Sequence, residues 1–481
     1  MNSPTSLYWY DLETFGIDPK RDRISQFAGL RTDLDLNFIS DPLVMYCKQA
    51  NDMLPSPESC LVTGITPQLA NREGIIEAEF IASVNKEFSR SNTCVVGYNN
   101  LRFDDEFIRY TLYRNFHDPY EREWKNGNSR WDIIDMVRLT RALRPEGIEW
   151  PTHPDGLPSF RLEELTQANN IQHEHAHDAL SDIYATIAMA KLIKQRQGKL
   201  YDYIFSLRNK QEVFQQLNVK EQKPVLHVSG MFPSQYFCTT VVMPIVQHPT
   251  NKNGIIVYDL REDPAAMLDL SVEEIRERVF TPKDQLADGV QRISLKTIHA
   301  NKCPIVAPMS TLDEGSIERI QINLETCMKH MAVIRANAQI KQKISKVFNH
   351  KNFVATDDPD QQLYQGFFNE QDKGTMQQIR SLTPHELNSR EFYFNDGRLT
   401  ELFFRFRARN FPDMLSASDA QKWEDYRHHR LTDKDGGGSI HADAFYELLR
   451  EKEGSPDLTP RQKEILQELK QYADLILRQA N

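Results

Sequence analysis

Cysteine is scarce in this sequence, and the few cysteines that occur are scattered. No two of the six form a CxxC pair. Because disulfide frameworks and structural zinc sites need paired or closely spaced cysteines, the sequence favours neither and is typical of a reducing compartment. The six are Cys47, Cys60, Cys94, Cys238, Cys303 and Cys327.

Long apolar runs are missing as well. Nowhere do 18 apolar residues follow one another, and the opening MNSPTSLYWY lacks the basic and apolar regions of a signal peptide. We therefore expect a cytoplasmic protein without a membrane association. Positive charge is not in excess either: the formal net charge is −10. This argues weakly against nucleic acid as a partner, although a basic channel can exist on an acidic protein.

Three segments of different character follow one another along the 481 residues, which are too many for one ordinary core. The first segment alternates strand and helix patterns, the second holds short β-rich runs, and the third has the periodicity of long helices. We predict an α/β domain at 1–197, a small β-barrel domain at 198–352 and a helical domain at 353–481.

The first strand carries two acids. In LYWYDLETFG, Asp11 and Glu13 stand two positions apart, so both side chains project from the same face, about 6–7 Å apart along the strand. Two like charges on a mostly apolar strand are unfavourable unless a cation or water compensates them. At this point, exposure of both acids at a strand end explains the pair equally well.

Two further acidic motifs bear on this pair. GYNNLRFDDEF has Asp104 and Asp105 where a helix begins, and both could simply cap that helix. In HEHAHDALSDIYATIAMAKLI, His177 precedes a strongly helical run and Asp182 lies five residues later. Positions five apart on a helix diverge by about 140°, so the two converge on one site only if His177 lies on the loop or first turn and reaches back.

Together the motifs indicate a metal site. Four carboxylates in one site cannot all stay ionised at low cost without divalent cations, and hard oxygen ligands suit Mg²⁺ or Mn²⁺ rather than zinc. Two such ions about 3.5–4 Å apart stabilise both the attacking and the leaving oxygen of a phosphodiester displacement. A histidine whose pKa is about 6.5 can accept the proton of the attacking water. The pattern therefore predicts metal-dependent phosphodiester hydrolysis.

The order Asp11-x-Glu13, Asp104, His177-x4-Asp182 resembles the DEDD superfamily of 3′→5′ exonucleases, in its histidine-containing branch. Further motifs are similar to those of the bacterial exonuclease I family, among them LETFG, LVTGITP, GYNNLRFDDE, DGLPSFRLEELT, HVSGMF, NKCPIVAP and RARNFP. The resemblance implies a ribonuclease H-like exonuclease domain, a Src-homology-3-like β-barrel domain and an all-helical C-terminal domain. It also implies a monomeric, processive, single-strand-specific exodeoxyribonuclease that releases 5′-mononucleotides and acts in DNA repair and recombination.

The same resemblance implies a role for each acid. Asp11, Glu13 and Asp182 would bind Mg²⁺ directly, with Mn²⁺ able to substitute. Asp104 would hold the second ion, directly or through water. Asp105 is the neighbouring alternative, although the superfamily pattern of Phe followed by Asp favours Asp104.

The resemblance also implies which residues act as the general base and contact the substrate. His177 would be the general base, and Glu13 and Arg161 would contact the substrate; for Arg161 the alternative is a surface ion pair with Glu163 or Glu164. Binding single-stranded DNA also needs cations for the phosphates and aromatic rings for the bases. Interleaved aromatic and basic stretches and the family resemblance indicate further contacts, although each residue could equally belong to a core or a solvated face. They are Arg109, Tyr120, Trp124, Arg138, Lys210, Asn253, Asn301, Lys302, Gln362 and Arg407.

The resemblance also implies a protein partner. Exonuclease I-like enzymes bind the acidic, hydrophobic C-terminal tail of single-stranded DNA-binding protein. Arg144 in ALRPEG and Tyr203 in LYDYIF match the positions that would receive its carboxylate and its apolar end. The alternative for Arg144 is a plain solvated residue.

One motif resembles a different site. DKDGGGSIHADAF has Asp433 and Asp435 at the first and third positions of a calcium-binding EF-hand loop. The fifth position is Gly437, however, and the twelfth is Ala444, where a bidentate glutamate belongs. A flexible glycine-rich turn between two helices is the better prediction.

Two other functions stay open. An exoribonuclease or a proofreading subunit of the same superfamily would share the site but usually lacks the extra domains, so the chain length favours the DNA enzyme. A non-catalytic DNA-binding protein with a retired active site is the other alternative. The complete set of four acids and one histidine speaks against it.

Overall fold

The computed structural model of the protein describes residues 4–173, 178–349 and 356–478. Within these ranges the chain forms ten β-strands and twenty α-helices, besides short 3₁₀ turns. The strands are β1 Ser6–Thr14, β2 Ile24–Thr32, β3 Leu43–Tyr46, β4 Thr93–Gly97, β5 Ser129–Asp132, β6 Val225–Val228, β7 Thr239–Gln247, β8 Gly254–Asp259, β9 Leu295–His299 and β10 Val306–Pro308.

The helices begin after the third strand and dominate the end of the chain. They are α1 Pro57–Thr63, α2 Pro67–Glu73, α3 Glu77–Phe88, α4 Asp104–Arg114, α5 Ile134–Leu143, α6 Leu162–Ala168, α7 Ala179–Arg196, α8 Gly198–Ser206, α9 Lys210–Gln216, α10 Ala265–Asp269, α11 Val272–Phe280, α12 Glu314–Arg319, α13 Leu324–Ala336, α14 Ile340–Phe348, α15 Glu370–Ser381, α16 Pro384–Ser389, α17 Gly397–Asn410, α18 Ala417–Thr432, α19 Ala442–Glu453 and α20 Pro460–Arg478. Over the ranges described above, none combines the length and the apolar composition that crossing a bilayer requires.

The chain divides into two compact units whose borders differ from the predicted domain borders. The first unit comprises 1–129, 174–184 and 355–481, and the second comprises 130–173 and 185–354. Each unit therefore combines part of the predicted N-terminal domain with a later segment. The borders of the three predicted domains stay a prediction.

In the first unit, β1 lies at the centre of a mixed sheet in which β3, β2, β1 and β4 are neighbours in that order. β1 pairs antiparallel with β2 and parallel with β4. Its side chains are buried almost throughout, as the aromatic and aliphatic run predicts for a central strand. Helices α3 and α4 cover one face, where Phe27, Phe80, Phe88 and Phe107 pack together.

A second core of the first unit joins the end of β1 to the last three helices. Phe15 packs in one buried cluster with Leu431, Phe445 and Leu469, together with residues of α1 and α2. Phe15 and these three residues are more than 400 positions apart in the sequence, so no local sequence pattern predicts their contact. The helices at the end of the chain thus pack directly against the end of β1.

The second unit contains a five-stranded antiparallel sheet with the order β10-β6-β7-β8-β9. Its strands coincide with the β-rich runs of the sequence. Val225, Val242, Val257 and Ile298 form the core of this sheet with residues of the surrounding helices. The predicted β-rich segment is confirmed as a small antiparallel sheet domain.

Candidate active site

Strand β1 presents both of its acids at its carboxyl end. Asp11 lies opposite Ala28 and Glu13 opposite Gln26 in the antiparallel pairing with β2. Positions two apart in a strand share a face, so the two carboxylates project from the same side of the sheet. Regular pairing breaks between Glu13 and Thr14, which ends the strand just beyond the second acid.

A third carboxylate comes from the first turn of α7. One carboxylate oxygen each of Asp11, Glu13 and Asp182 lies within 4.8 Å of the other two. Glu13 is buried, while Asp11 and Asp182 are half-buried. The three acids that the sequence predicts as direct ligands therefore converge at one point.

Burial and mutual repulsion make this cluster costly without a cation. Burial, together with the charges of Asp104, Glu13 and Asp182, raises the pKa of Asp11 well above its usual range. Burial and the charges of Asp182, Asp104 and Asp178 raise the pKa of Glu13 to about 9. An all-oxygen donor set of this kind fits a hard divalent ion, which would restore the ionised state of each acid.

Asp104 and its neighbour Asp105 have different surroundings. Asp104 begins α4 and is buried, and its charge acts on both acids of β1. Asp105 is fully buried and accepts hydrogen bonds from the Tyr10 hydroxyl at 2.9 Å and from Arg122 Nη2 at 2.7 Å. Because Asp105 is engaged in this ion pair, the geometry favours Asp104 as the fourth acid of the site.

The predicted base is not covered by the structure: His177 lies outside the described residues. Asp178, the next residue along the chain, accepts a hydrogen bond at 3.1 Å from the backbone N–H of Ser181 and so caps α7. Its charge also acts on Glu13. Sequence reasoning missed Asp178 as a contributor, although an acid directly after a candidate base was visible in HDALSD.

The predicted DNA contacts of the first unit differ in their accessibility. Arg109 is buried and bound by carboxylates, at 2.8 Å from Glu123 and 2.6 Å from Glu106. Its guanidinium also lies over the Tyr120 ring, 5.6 Å from the centroid. Trp124, by contrast, is 65% exposed. Arg109 thus supports the ring of Tyr120, while Trp124 offers an open aromatic surface.

Two more predicted contacts of this unit are held by protein groups. Arg407 binds Asp419 at 3.0 Å and Asn388 at 2.7 Å. The Gln362 side chain donates to the carbonyl of Thr356 at 2.6 Å. Sequence reasoning missed Phe367, which is 85% exposed and meets the Tyr120 ring at 5.7 Å. An isolated aromatic pair in GFFNE was the only signal.

The predicted contacts of the second unit are mostly at its surface. Arg161 is exposed at the start of α6, and among the described residues no ion pair joins it to Glu163 or Glu164. Arg138 instead binds Asp135 at 2.6 Å. The remaining predicted contacts are exposed or half-buried: Lys210, Asn253, Asn301 and Lys302.

Arg144 and Tyr203, the two predicted partner residues, line the same pocket of the second unit. The pocket has a volume of about 420 Å³ and is also lined by Leu143, Leu200 and Lys199. Arg144 holds Asp313 at 3.0 Å, and the Tyr203 hydroxyl donates to the carbonyl of Val306 at 2.8 Å. Sequence reasoning missed two further cations of the pocket, Arg196 and Lys199, which lie on either side of Gly198 in KQRQGKLYDY.

The fold and the carboxylate cluster together define a divalent-metal-dependent exonuclease. Residues 8–190 match the family model described as exonuclease of the RNase T type. Residues 208–350 match the exonuclease I SH3-like domain, and residues 357–476 match the exonuclease I C-terminal domain.

Individual relatives agree with these models over nearly the whole chain. Exodeoxyribonuclease I of Haemophilus influenzae is 48% identical over 89% of this chain and 90% of its own. The structure of a moderately thermophilic exonuclease I from Methylocaldum szegediense is 52% identical, with a TM-score of 0.95 over 98% of this chain and 100% of its own. A zinc-bound complex of E. coli exonuclease I with single-stranded DNA is 41% identical, with a TM-score of 0.94 over 99% and 100%.

The chain belongs to the exonuclease I family. The predicted family, the predicted fold class and the predicted enzyme, an exodeoxyribonuclease, are thereby confirmed.

Proposed function

We propose that this chain degrades single-stranded DNA processively from its 3′ end, releases 5′-mononucleotides and serves DNA repair and recombination. The observation that carries the proposal is the convergence of Asp11, Glu13 and Asp182 within 4.8 Å. The E. coli relative, which matches 99% of this chain in fold, was crystallised with single-stranded DNA, which supports this substrate class.

Mg²⁺ is the proposed cofactor, with two ions per site and Mn²⁺ as a substitute. Asp11, Glu13 and Asp182 would hold metal directly, and Asp104 would complete the second position. When bound, divalent ions at such a site stabilise the charge on the attacking and the leaving oxygen of the phosphodiester. The four acids are oxygen donors on β1, α4 and α7, and their crowding without a cation supports this assignment.

His177 is the proposed general base. Its imidazole takes the proton of the attacking water, a role that suits a side chain whose ordinary pKa is about 6.5. The residue directly precedes Asp178, whose charge acts on Glu13, so the chain is close to the acids at this point. Glu13 and Arg161 would meanwhile contact the terminal nucleotide.

Cations and aromatic rings would contact the DNA strand. Aromatic rings stack on bases without sequence preference, and lysine or arginine side chains neutralise phosphates. The exposed ring of Trp124 and the exposed guanidinium of Arg161 suit these two tasks. Arg109 would act indirectly, by supporting the Tyr120 ring, because its charge is already paired with Glu106 and Glu123.

The proposed protein partner is the C-terminal tail of single-stranded DNA-binding protein. The pocket at Arg144 and Tyr203 combines cationic groups with the apolar side chains of Leu143 and Leu200. An acidic peptide with an apolar carboxyl-terminal residue matches that combination. We further propose that the enzyme is a cytoplasmic monomer.

Substitution of two acids tests the proposed function. Asp11→Asn and Asp182→Asn should remove most cleavage of a single-stranded oligonucleotide in Mg²⁺ while leaving its binding largely intact. Asp41→Asn, which changes an exposed acid, is the matched control. His177→Ala should slow cleavage at neutral pH by about 10²–10⁴-fold. Full activity of both acid variants would refute the metal site.

A further inference from the structure

The chain segment that follows Glu13 is a tightly bonded turn, Phe15–Arg23, which we call the β1–β2 turn. The backbone N–H of Asp22 donates to the carbonyl of Asp18 at 2.7 Å, and the N–H of Asp18 donates back to the Asp22 carboxylate at 2.8 Å. A Cβ at Gly16 would lie 2.2 Å from Asp22 Oδ2. Asp22 is therefore the buried centre around which this turn closes.

The second oxygen of the same carboxylate is bound from the far end of the sequence. The Ser439 hydroxyl donates to Asp22 Oδ1. Ser439 belongs to the segment 433–440 between α18 and α19, which we call the glycine-rich loop. Arg430, at the end of α18, donates to the carbonyl of Arg21 at 3.4 Å and to the carbonyl of Gly437 at 3.0 Å. One side chain thus ties the loop to the turn.

The glycines of this loop have a packing reason. A Cβ at Gly436 would lie 2.2 Å from the carbonyl oxygen of His429, and one at Gly438 would lie 3.0 Å from that of Arg430. Gly437 has φ +85°, which favours glycine. The loop therefore lies flat against the end of α18, as a packed turn rather than the flexible one that the sequence suggested.

Apolar packing holds the same two segments together. Phe15, the first residue of the β1–β2 turn, is buried against Leu431 and Phe445, which flank the glycine-rich loop on either side. The turn is therefore fixed by one hydroxyl, one guanidinium and a shared core, all supplied by the C-terminal helices. Glu13 lies only two residues before Phe15, at the point where strand pairing becomes irregular.

We propose that the glycine-rich loop is a positioning element of the active site, in which Ser439 and Arg430 fix the β1–β2 turn and thereby the placement of the Glu13 carboxylate. Ligands at a metal site must be held within about 0.5 Å of the productive geometry, and a broken strand end cannot supply that by itself. The inference rests on the proposed function, because it gives Glu13 the role of a metal ligand.

The test compares four forms of the full-length chain: wild type, Ser439→Ala, Ser439→Thr and Asp435→Asn. Ser439→Thr keeps a hydroxyl, and Asp435→Asn changes an exposed residue of the same loop. Amide hydrogen exchange over 15–23 and calorimetric titration with Mn²⁺ are the two readouts, and cleavage of a short single-stranded oligonucleotide is the third.

For Ser439→Ala we expect about 10-fold faster exchange of the turn amides, which corresponds to about 1.4 kcal/mol. Mn²⁺ binding should weaken several-fold, and more Mn²⁺ should be needed for half-maximal cleavage. Ser439→Thr and Asp435→Asn should behave as wild type.

Mn²⁺ affinity and cleavage that stay at the wild-type level in Ser439→Ala would overturn the inference, whether or not the turn amides exchange faster. A wild-type chain that binds Mn²⁺ but cleaves no single-stranded DNA would instead refute the proposed function. The two failures are therefore distinguishable.

Discussion

At the scale of single residues, two adjacent acids carry out opposite tasks. Asp105 has a dedicated buried partner in Arg122, whose side chain is likewise fully buried, and receives a hydrogen bond from Tyr10. Asp104 shares its surroundings with the like charges of Asp11 and Glu13. One acid therefore stabilises the fold, while the other raises the energy of the metal-free site.

Conservative amide substitutions should separate these roles. Asp105→Asn leaves the buried Arg122 charge with only the more distant Glu123 carboxylate, 4.0 Å away, so we expect a loss of about 3–5 kcal/mol in the free energy of unfolding. Asp104→Asn removes a like charge from the cluster and should leave stability unchanged or higher in metal-free buffer, while cleavage falls sharply. Urea unfolding and a cleavage assay on both variants check this. Equal destabilisation by the two substitutions would contradict the assignment.

His117 gives the fold a dependence on pH. Burial, with the nearby Arg380 charge, lowers the pKa of His117 to about 3 in the folded state, against about 6.5 in an unfolded chain. Between these values the unfolded state binds a proton that the folded state does not. The stabilisation that depends on neutral His117 is therefore fully present above about pH 6.5. As the pH falls below that value, the free energy of unfolding decreases by at most about 1.4 kcal/mol per pH unit.

Replacing His117 by glutamine should therefore flatten the fall in stability between pH 7 and pH 5. The difference between wild type and variant isolates this residue from other titrating groups, such as His299, whose pKa burial also lowers, to about 4. Thermal unfolding at several pH values measures it. Parallel curves for the two proteins would show that His117 is protonated equally in both states.

At the scale of secondary structure elements, local pattern was a reliable guide. The aromatic and aliphatic run around Asp11 is a central strand, and the helix expected from Asp104 occupies Asp104–Arg114. The spacing of apolar and acidic residues indicates both elements, so the sequence contains what is needed to predict them. The direction of the two carboxylates of β1 followed from the same period.

What the elements touch was harder to predict. Arg109 has the sequence context of a DNA-binding cation but is held by Glu106 and Glu123, the latter 14 positions away. The contact of Phe15 with Phe445 depends on the whole fold. Periodicity identifies a buried side chain but not its partner. The ion pairs and the borders of the two units could therefore not be predicted from the sequence.

The helix ends around the pocket of the second unit should decide partner binding. Arg144 follows α5 and Tyr203 lies on α8, so the cation and the ring are held by separate elements. We expect Arg144→Ala to weaken binding of a single-stranded DNA-binding protein tail peptide by about 10-fold or more, because a charge-assisted hydrogen bond contributes about 1.5–3 kcal/mol. Fluorescence polarisation with a labelled peptide measures this.

Two controls accompany that measurement. Lys220→Ala changes an exposed cation of the same unit outside the pocket and should leave the affinity unchanged. A peptide with an amidated carboxyl terminus should bind the wild type weakly, with about the affinity that the unmodified peptide has for Arg144→Ala. If the free peptide binds Arg144→Ala and wild type equally well, this pocket does not receive the tail.

At the scale of the whole molecule, the C-terminal helices are part of the fold of the first unit. Arg409 on α17 binds Asp52 at 2.8 Å and Asp360 at 2.6 Å, and all three side chains are buried. The Arg409 charge, with those of Arg23 and Arg430, holds the pKa of Asp52 below its usual range although burial opposes this. Removing these helices would leave Asp52 without two of its three cations.

Deletion of 355–481 should therefore prevent stable folding of the first unit, and not only reduce the number of nucleotides that an active nuclease removes per binding event. The deletion also exposes the apolar side chains of Phe15, Leu54 and Cys60. Circular dichroism and limited proteolysis of the truncated chain are the measurements. Addition of the separate 355–481 segment should restore protection. A truncated chain that unfolds cooperatively near the wild-type temperature would contradict this account.

The central claim, metal-dependent removal of nucleotides from the 3′ end of single-stranded DNA, is tested most directly by oligonucleotides that are blocked at one end. The purified chain is incubated in Mg²⁺ with single-stranded DNA blocked at the 3′ or the 5′ end, and with matched RNA and duplex DNA. We expect 5′-mononucleotides from the 5′-blocked DNA strand alone, and none once the metal is chelated. Degradation of the 3′-blocked strand, preference for RNA, or full activity in the chelator would contradict the claim.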